Sequence, residues 1–189
     1  MYQFPLFPES IPNELKEGKV WVCCDESKVP LIPLKRGYQR ASSTKATTWR
    51  SYEQAIRAYM SNPKVWGLGR VIEADSPYVG VDLDDCRDPE TGKLKPRGVE
   101  ILDALDSYSE VSPSGTGVKV WVRSELAKPQ KKEGVEIYPR GRYFTVTGQR
   151  LARYKSEITS SPRSSGKSSP NSHTNPAGTE RGGISHRTP

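Results

Sequence analysis

The stretch Pro77-Tyr-Val-Gly-Val-Asp-Leu-Asp-Asp85 decides how the rest of the chain is understood. Within it, valine and leucine alternate with Gly80, Asp82 and Asp84. Successive side chains of a β-strand point to opposite faces, so the two aspartates share one face and the aliphatic residues form the core face. Carboxylates about 7 Å apart along a strand, with Gly80 leaving room beside them, suit one or two hard divalent cations. The pattern favours metal-assisted phosphoryl chemistry; the alternative is an acidic strand end that runs into a solvated turn.

Composition limits the class of protein. A chain of 189 residues accommodates one domain of about 150 residues and a tail. Lysine and arginine outnumber the acidic residues by 29 to 22, and a net charge of +7 favours a polyanionic partner, nucleic acid before membrane. No window approaches about 18 apolar residues, and the N-terminus lacks the basic and apolar regions of a signal peptide. We therefore expect neither a membrane span nor a leader.

Cysteine and histidine exclude several kinds of site. The three cysteines are odd in number and Cys23 and Cys24 are neighbours, which argues against a disulfide framework or a regular zinc site. A reducing cytosol is the expected location. Both histidines, His173 and His186, lie near the C-terminus, outside the segments that have core character. Chemistry that needs a core histidine, such as a Ser-His-Asp triad or a zinc-histidine site, is thereby excluded.

Hydrophobic patterning predicts an α+β domain over residues 1–154. We expect a short helix at 13–17, a helix at 49–61 capped by Thr48, and a helix at 99–106. The predicted strands are 19–24, 65–73, 77–84, 108–111, 118–123, 135–138 and the end of 140–148, with a proline-limited edge strand at 29–33. Strands 65–73 and 77–84 are expected to form an antiparallel hairpin that brings Gly67 and Gly69 near the aspartates. Residues 155–189, rich in Ser, Pro and Gly, are predicted to be a disordered basic tail.

Three further segments carry candidate site residues. The turn Ser112-Pro-Ser-Gly-Thr-Gly117 leads into a strand that bears Lys119, an arrangement that looks like a triphosphate cradle. The alternative is an ordinary hairpin connection. Glu136 lies on the non-core face of its strand, where it is available as a third carboxylate. Arg142 could pair bidentately with a phosphate.

Basic loops are the candidates for nucleic-acid contact. Residues 35–45 combine hydroxyls with cations, and residues 128–132 form a second basic loop. Phosphate contact is the functional interpretation, and a flexible solvated loop is the alternative. The residues proposed to contact DNA are Arg36, Arg40, Lys45, Lys131 and Lys132.

These segments, taken in order, resemble the bifunctional primase-polymerase (prim-pol) domain of the archaeo-eukaryotic primase superfamily, which is common in phages, prophages and plasmids. The similarity runs from about Lys19 to Gly148 and includes the acid strand, the Ser-Pro-Ser-Gly-Thr-Gly turn, Val-Glu-Ile-Tyr and Gly-Arg-Tyr-Phe-Thr-Val-Thr-Gly. It also includes Lys28-Val-Pro30 and Ala41-Ser-Ser43 followed by Thr48-Trp49. The resemblance implies a core sheet like that of an RNA-recognition motif, antiparallel or mixed, joined to a small N-terminal α/β unit.

The resemblance also implies roles for individual residues. Asp82 and Asp84 match the family's Asp-x-Asp metal motif, and Glu136 matches the third acid, together implying two Mg²⁺ or Mn²⁺ ions. Ser112, Ser114, Lys119 and Arg142 would bind the nucleotide. Lys119 departs from the family, whose usual residue there is histidine. A lysine can neutralise phosphate as a point charge, but it does not offer imidazole geometry.

The sequence therefore favours a DNA primase-polymerase that uses NTP or dNTP on single-stranded DNA in the replication of a mobile element. The expected setting is the cytoplasm, at the nucleoid during replication, with a separate replicative helicase as a candidate partner. Lys119 motivates an alternative, a catalytically weakened prim-pol-like module that binds DNA or nucleotide beside such a helicase. A metal-dependent nuclease is a third interpretation, in which the phosphate cradle would serve no triphosphate.

Overall fold

Ten short strands and three α-helices make up residues 3–160, the part of the chain that the computed structural model describes. The helices are α1 (Asn13–Lys16), α2 (Tyr52–Ser61) and α3 (Pro96–Leu105), with 3₁₀ turns at Pro8–Ser10 and Ala46–Thr48. The strands are β1 (Trp21–Cys24), β2 (Pro30–Leu31), β3 (Gly67–Ile72), β4 (Tyr78–Leu83), β5 (Ser109–Val111), β6 (Val118–Arg123), β7 (Gln130–Lys132), β8 (Val135–Tyr138), β9 (Arg142–Val146) and β10 (Thr159–Ser160).

The strands form two sheets. One has the order β2-β1-β3-β9 and is antiparallel throughout. The other has the order β10-β6-β4-β8-β7, with β5 also paired to β6, and only the β10–β6 pairing is parallel. Strand β2 lies at an edge, as expected for a segment with a proline at each end. The α+β class is thus confirmed, while the finer likeness to an RNA-recognition motif stays a prediction.

The predicted hairpin between β3 and β4 is wrong, because these strands belong to different sheets. Strand β3 pairs with β1 and β9, and β4 pairs with β6 and β8. Gly67 and Gly69 consequently serve the other sheet. A Cβ at Gly67 would meet Phe4 Cδ2 at 2.8 Å, and one at Gly69 would meet Tyr143 Cδ2 at 2.4 Å. Each glycine makes room for an aromatic ring and not for the acids.

The two sheets pack face to face through an apolar layer. The four-stranded sheet contributes Trp21, Leu68 and Phe144, and the six-stranded sheet contributes Tyr78 and Trp121. The opposite face of the six-stranded sheet carries a second cluster, in which Val79, Val81, Leu83, Val118 and Val120 pack with Leu102 of α3. The predicted core face of β4 is therefore confirmed. The other face of β4 is also covered, by the four-stranded sheet, from Tyr78 to Gly80.

Gly80 is the contact point between the sheets. A Cβ there would lie 2.4 Å from Phe144 Cε2 and 2.9 Å from Ile72 Cδ1, far inside van der Waals contact. The ring of Phe144 fills the space and also packs edge-on against Trp121, with centroids 5.5 Å apart. The space beside the aspartates that the sequence assigned to a metal is thus occupied, on the Gly80 side, by an aromatic ring.

Helix α2 begins three residues later than predicted. Its N-cap is Ser51, whose hydroxyl accepts from Gln54 N while the Gln54 side chain accepts from Ser51 N, a complete capping box. Thr48 instead ends a 3₁₀ turn and donates to the carbonyl of Lys45. Helix α3 begins earlier than predicted, at Pro96, a residue suited to the first helical turn. Ten residues are far fewer than a bilayer requires, and none of the helices within residues 3–160 could cross one.

The folded body extends past residue 154. Strand β10 pairs with β6, and Ile158 is buried in the layer between the sheets. Residues 155–160, which the sequence assigned to the tail, therefore pack onto the domain. The rest of the predicted tail, 161–189, lies outside the described residues. The basic segment Gln130–Lys132, predicted to be a loop, is an edge strand that turns into β8.

Candidate active site on the six-stranded sheet

Strand register places a row of charged residues across the six-stranded sheet. Asp82 of β4 lies opposite Lys119 of β6 on one side and opposite Glu136 of β8 on the other. Lys119 in turn faces Glu110 of β5, and Glu136 faces Lys131 of β7. Residues paired in this way share a face of the sheet. Five charges from five strands therefore lie in one line, on the face that the four-stranded sheet partly covers.

Asp84 follows in the next row, beyond the end of β4, and is exposed to solvent. Its pKa is raised above the ordinary value, first by partial desolvation and then by the negative charge of Asp82, with Glu136 adding to it. The negative charges of Asp82 and Glu136 thus disfavour ionisation of Asp84.

Lys119 is 8% exposed, and its ammonium has two neighbours. Nζ lies 2.5 Å from Asp82 Oδ2 and 4.6 Å from the centre of the Phe144 ring. The sequence predicts a phosphate as the partner of Lys119, whereas the structure pairs its ammonium with Asp82. A buried cation is stable only with a counter-charge, which Asp82 supplies in this structure.

Glu136 is held from two sides. Lys131 forms an ion pair with Oε1, and the hydroxyl of Tyr138 donates to Oε2. These hydrogen bonds, that of Lys131 first, lower the pKa of Glu136 below its ordinary value, so the carboxylate stays ionised. Lys131, predicted to contact DNA, is therefore occupied with one of the predicted metal ligands.

Arg142 comes from the other sheet but reaches the same cluster. Its Nη2 donates to Tyr138 Oη at 3.2 Å, and the guanidinium lies over the Tyr138 ring, 4.8 Å from its centre. Tyr138 thus connects Arg142 to Glu136. The turn before β9 also receives Ser43, whose hydroxyl donates to the Gly141 carbonyl at 2.9 Å. This bond brings the C-terminal part of the basic loop 35–45 next to Arg142.

The serine turn lies beside the end of β4. Gly117 is so close that an added Cβ would be 2.8 Å from the Leu83 carbonyl oxygen. Its hydroxyls bond one another: Ser112 Oγ lies 2.9 Å from Ser114 Oγ, which lies 3.0 Å from Thr116 Oγ1. Ser112 Oγ also accepts from Gly117 N. The turn is thus a self-satisfied hydroxyl chain placed next to the acid cluster.

The remaining predicted DNA contacts are dispersed. Arg36, Arg40 and Lys45 are exposed on the loop that meets Gly141, and Lys132 is exposed on edge strand β7. The loop is bonded through Ser43 to the turn before β9, and β7 is an edge strand of the six-stranded sheet. The structure brings together the three acids, Lys119, Arg142 and the serine turn, whereas the DNA candidates form no single cluster among the described residues.

The donor set fits Mg²⁺ or Mn²⁺ in kind. Carboxylate oxygens are the ligands that these hard cations prefer, and Asp82, Asp84 and Glu136 supply them from one face. Across residues 3–160, however, no three acid, cysteine or histidine side chains are already gathered closely enough to hold an ion. Lysines are bonded to Asp82 and Glu136 instead. A bound cation would replace the lysines as the partner of these carboxylates.

Sequence reasoning missed three residues of this site. Phe144 underlies the Lys119 ammonium, Tyr138 joins Glu136 to Arg142, and Glu110 is fully buried beside Lys119 in the row. Glu110 could have been noticed, because it is a lone acid within the short predicted strand that precedes the serine turn. The two aromatic residues gave no such signal, since aromatic residues in strands usually serve the core.

The fold and site define a class: an α+β protein whose sheet carries an Asp-x-Asp strand flanked by a third acid, a buried cation and a serine turn. Comparison with family models gives no match. Among curated proteins, the chain is 32% identical over 141 residues to the DNA primase-polymerase of Nitratiruptor phage NrS-1. The alignment covers 69% of this chain and 19% of the relative. The chain is thus related to phage-type primase-polymerases, as its motifs indicated, and spans about a fifth of that relative's length.

Proposed function

We propose that the chain carries the nucleotidyl-transfer centre of a DNA primase-polymerase, which joins nucleotides on a single-stranded DNA template during replication of a mobile element. One observation carries the proposal: Asp82 and Glu136 are paired in register across two strands, with Asp84 in the adjacent row and cations on both sides. The similarity to the phage primase-polymerase supports it.

Asp82, Asp84 and Glu136 are the residues that would hold two Mg²⁺ or Mn²⁺ ions. When bound, such ions lower the pKa of an attacking hydroxyl and neutralise phosphate charge. The pKa of Asp84 is raised first by desolvation and then by the charges of Asp82 and Glu136, and a bound cation would offset both effects.

The cationic side of the site would receive the triphosphate. Lys119 offers a compact ammonium supported by the Phe144 ring, and Arg142 offers a planar fork held over Tyr138. Ser112 and Ser114 present hydroxyls beside the end of β4. These groups orient a nucleotide so that its phosphates face the acids, and orientation of this kind supplies much of the rate of phosphoryl transfer.

Template DNA would approach along the flanks of the row. Arg36, Arg40 and Lys45 lie on the loop bonded to Gly141, and Lys132 lies on the opposite edge. Contacts of this type are to phosphates, so they give affinity that falls with salt and no sequence preference.

Primer synthesis and extension assays with the double variant Asp82→Ala, Asp84→Ala test the proposal. Activity should fall by at least about a hundredfold, in line with loss of electrostatic stabilisation at a reaction centre. The matched control is Asp75→Ala with Glu125→Ala, two exposed acids at the other end of β4 and β6. This control should retain wild-type activity. A double aspartate variant as active as wild type would show that the metal site is misassigned, and shortening of the primer would indicate a nuclease.

A second function, that of a weakened accessory module, is favoured by the lysine pairs. Lys119 and Lys131 already neutralise Asp82 and Glu136, and these contacts oppose metal entry. Titration of dNTP with and without Mn²⁺ separates the two functions, because a pure DNA-binding module gives no metal-dependent nucleotide binding. A Lys119→His variant that gains activity would favour the weakened module, and one that loses activity would favour the working enzyme.

A further inference from the structure

Glu110 is the most deeply buried acid of the described chain, with no solvent exposure. It lies on β5 and belongs to the charged row, directly opposite Lys119. Carboxylates are almost never fully buried unless they are paired, because loss of hydration must be offset by hydrogen bonds or an opposite charge.

The two oxygens of Glu110 differ. Oε2 accepts from the Tyr108 hydroxyl and from Gly148 N, both at 2.8 Å. Oε1 is buried and accepts no hydrogen bond from any described residue. Burial raises the pKa of Glu110 to about 7, against the hydrogen bonds of Tyr108 and Gly148 and, to a smaller extent, the charge of nearby Lys119. Glu110 is thus half satisfied, with one oxygen able to accept a further donor.

Lys119 is the donor that the row supplies. Its ammonium now contacts Asp82, which is one of the residues proposed to hold a metal ion. A divalent cation on Asp82 would compete with Lys119 for the same carboxylate. Lys119, 8% exposed, would then need another counter-charge, and its register partner on the side away from Asp82 is Glu110.

We propose that Glu110 is the second counter-charge of Lys119, a positioning residue that accepts its ammonium when a divalent cation takes Asp82. The inference rests on the proposed function. The lysine has two acidic neighbours in one row, and in this structure its ammonium is bonded to Asp82 while Glu110 Oε1 accepts no hydrogen bond from any described residue. Glu110 therefore favours metal binding without touching the metal, by making departure of Lys119 from Asp82 less costly.

Mn²⁺ binding, followed by electron paramagnetic resonance of the free ion, tests the inference without any measurement of activity. Glu110→Gln keeps the size of the side chain but removes its charge, so Lys119 stays on Asp82. We expect Mn²⁺ affinity to fall about tenfold at about pH 8, in the range typical of coupled neighbouring charges. The matched control is Ser109→Ala, which removes a buried hydrogen bond from the adjacent residue and leaves the charges intact. Its Mn²⁺ affinity should equal that of wild type.

A double-mutant cycle separates coupling through Lys119 from simple attraction between Glu110 and the metal. With Lys119→Gln the competitor is absent, so adding Glu110→Gln should change Mn²⁺ affinity less than about twofold. An equal loss in both backgrounds would overturn the inference. So would an unchanged Mn²⁺ affinity in the Glu110→Gln variant.

A crystal structure of the wild-type protein with Mn²⁺ provides a measurement that does not depend on folding of the variants. We expect Lys119 Nζ within hydrogen-bond distance of Glu110 Oε1. An ammonium that remains on Asp82 with the metal bound overturns the proposal. Failure of the underlying function is distinguishable: wild type that binds no Mn²⁺ overturns both, whereas binding that needs Asp82 but ignores Glu110 overturns this inference alone.

Discussion

Replacement of Gly80 by alanine should destabilise the protein through one contact. The new Cβ would lie 2.4 Å from Phe144 Cε2, whereas carbon atoms pack at about 3.5–4.0 Å. The ring would have to move by more than about 1 Å. The Phe144 ring is buried, packs edge-on against Trp121 and lies under the Lys119 ammonium, so it has little freedom to move. The substitution therefore strains the layer between the sheets and displaces a residue of the site.

The expected size follows from two opposing effects. Overpacking of a core costs about 1–3 kcal/mol, and replacement of glycine by alanine recovers about 0.4–1 kcal/mol through the unfolded chain. A net loss of about 1 kcal/mol should lower the melting temperature by about 2–4 °C. Urea unfolding followed by circular dichroism measures it. Primer extension should fall as well, because Lys119 loses its support.

A double-mutant cycle between Gly80 and Phe144 tests whether their contact causes the destabilisation. Phe144→Leu shortens the ring that Gly80 accommodates, so Gly80→Ala in that background should cost about 1–2 kcal/mol less than in wild type. Strictly additive losses would refute the reasoning, since the strain would then arise elsewhere. An alanine variant as stable as wild type would refute it also.

Glu110, Ser51 and Tyr138 lead to further predictions about stability and nucleotide binding. The pKa of Glu110 is raised to about 7, so its contribution to stability is present in acid and falls by about 3 kcal/mol as the pH rises from about 4.5 through 7. Urea unfolding across this range should show that part of the pH dependence vanish in Glu110→Gln. Ser51→Ala should cost about 1 kcal/mol by chemical denaturation because the capping box with Gln54 is lost, and an unchanged midpoint would contradict that cap. Tyr138→Phe should raise the KM for dNTP severalfold in steady-state assays, because Arg142 and Glu136 lose the hydroxyl that joins them; an unaltered KM would count against a role for this hydroxyl.

Period-two alternation predicted the strands that carry the site. Val118–Arg123 and Val135–Tyr138 have the predicted bounds. In each strand, aliphatic side chains alternate with residues that include a charged one, Lys119 in the first strand and Glu136 in the second. The same alternation placed Asp82 and Glu136 on the non-core face. Their pairing in register could not be predicted, since it depends on which strands are neighbours.

The prediction of strand neighbours failed where both faces of a strand are buried. Every residue of Gly67–Ile72 is buried, so its pattern does not favour one neighbour over another, and a short turn to β4 suggested a hairpin. The Lys119–Asp82 pair was missed for a related reason. The sequence contains a lysine and an aspartate 37 positions apart, and only the sheet brings them to 2.5 Å.

The candidate site draws on sheets that have no strand in common. Its acids stand on β4 and β8, while Arg142 and Phe144 arrive on β9, and near the site the two halves meet through side chains. Arg142 is exposed and is held at the site through Tyr138, by one hydrogen bond and a ring contact, and regions with few buried contacts open first. On gentle warming, the Arg142 guanidinium should move away from the carboxylates before the hydrogen bonds between the strands of either sheet break. Activity would then fall at temperatures where the circular dichroism signal of the β-strands is unchanged.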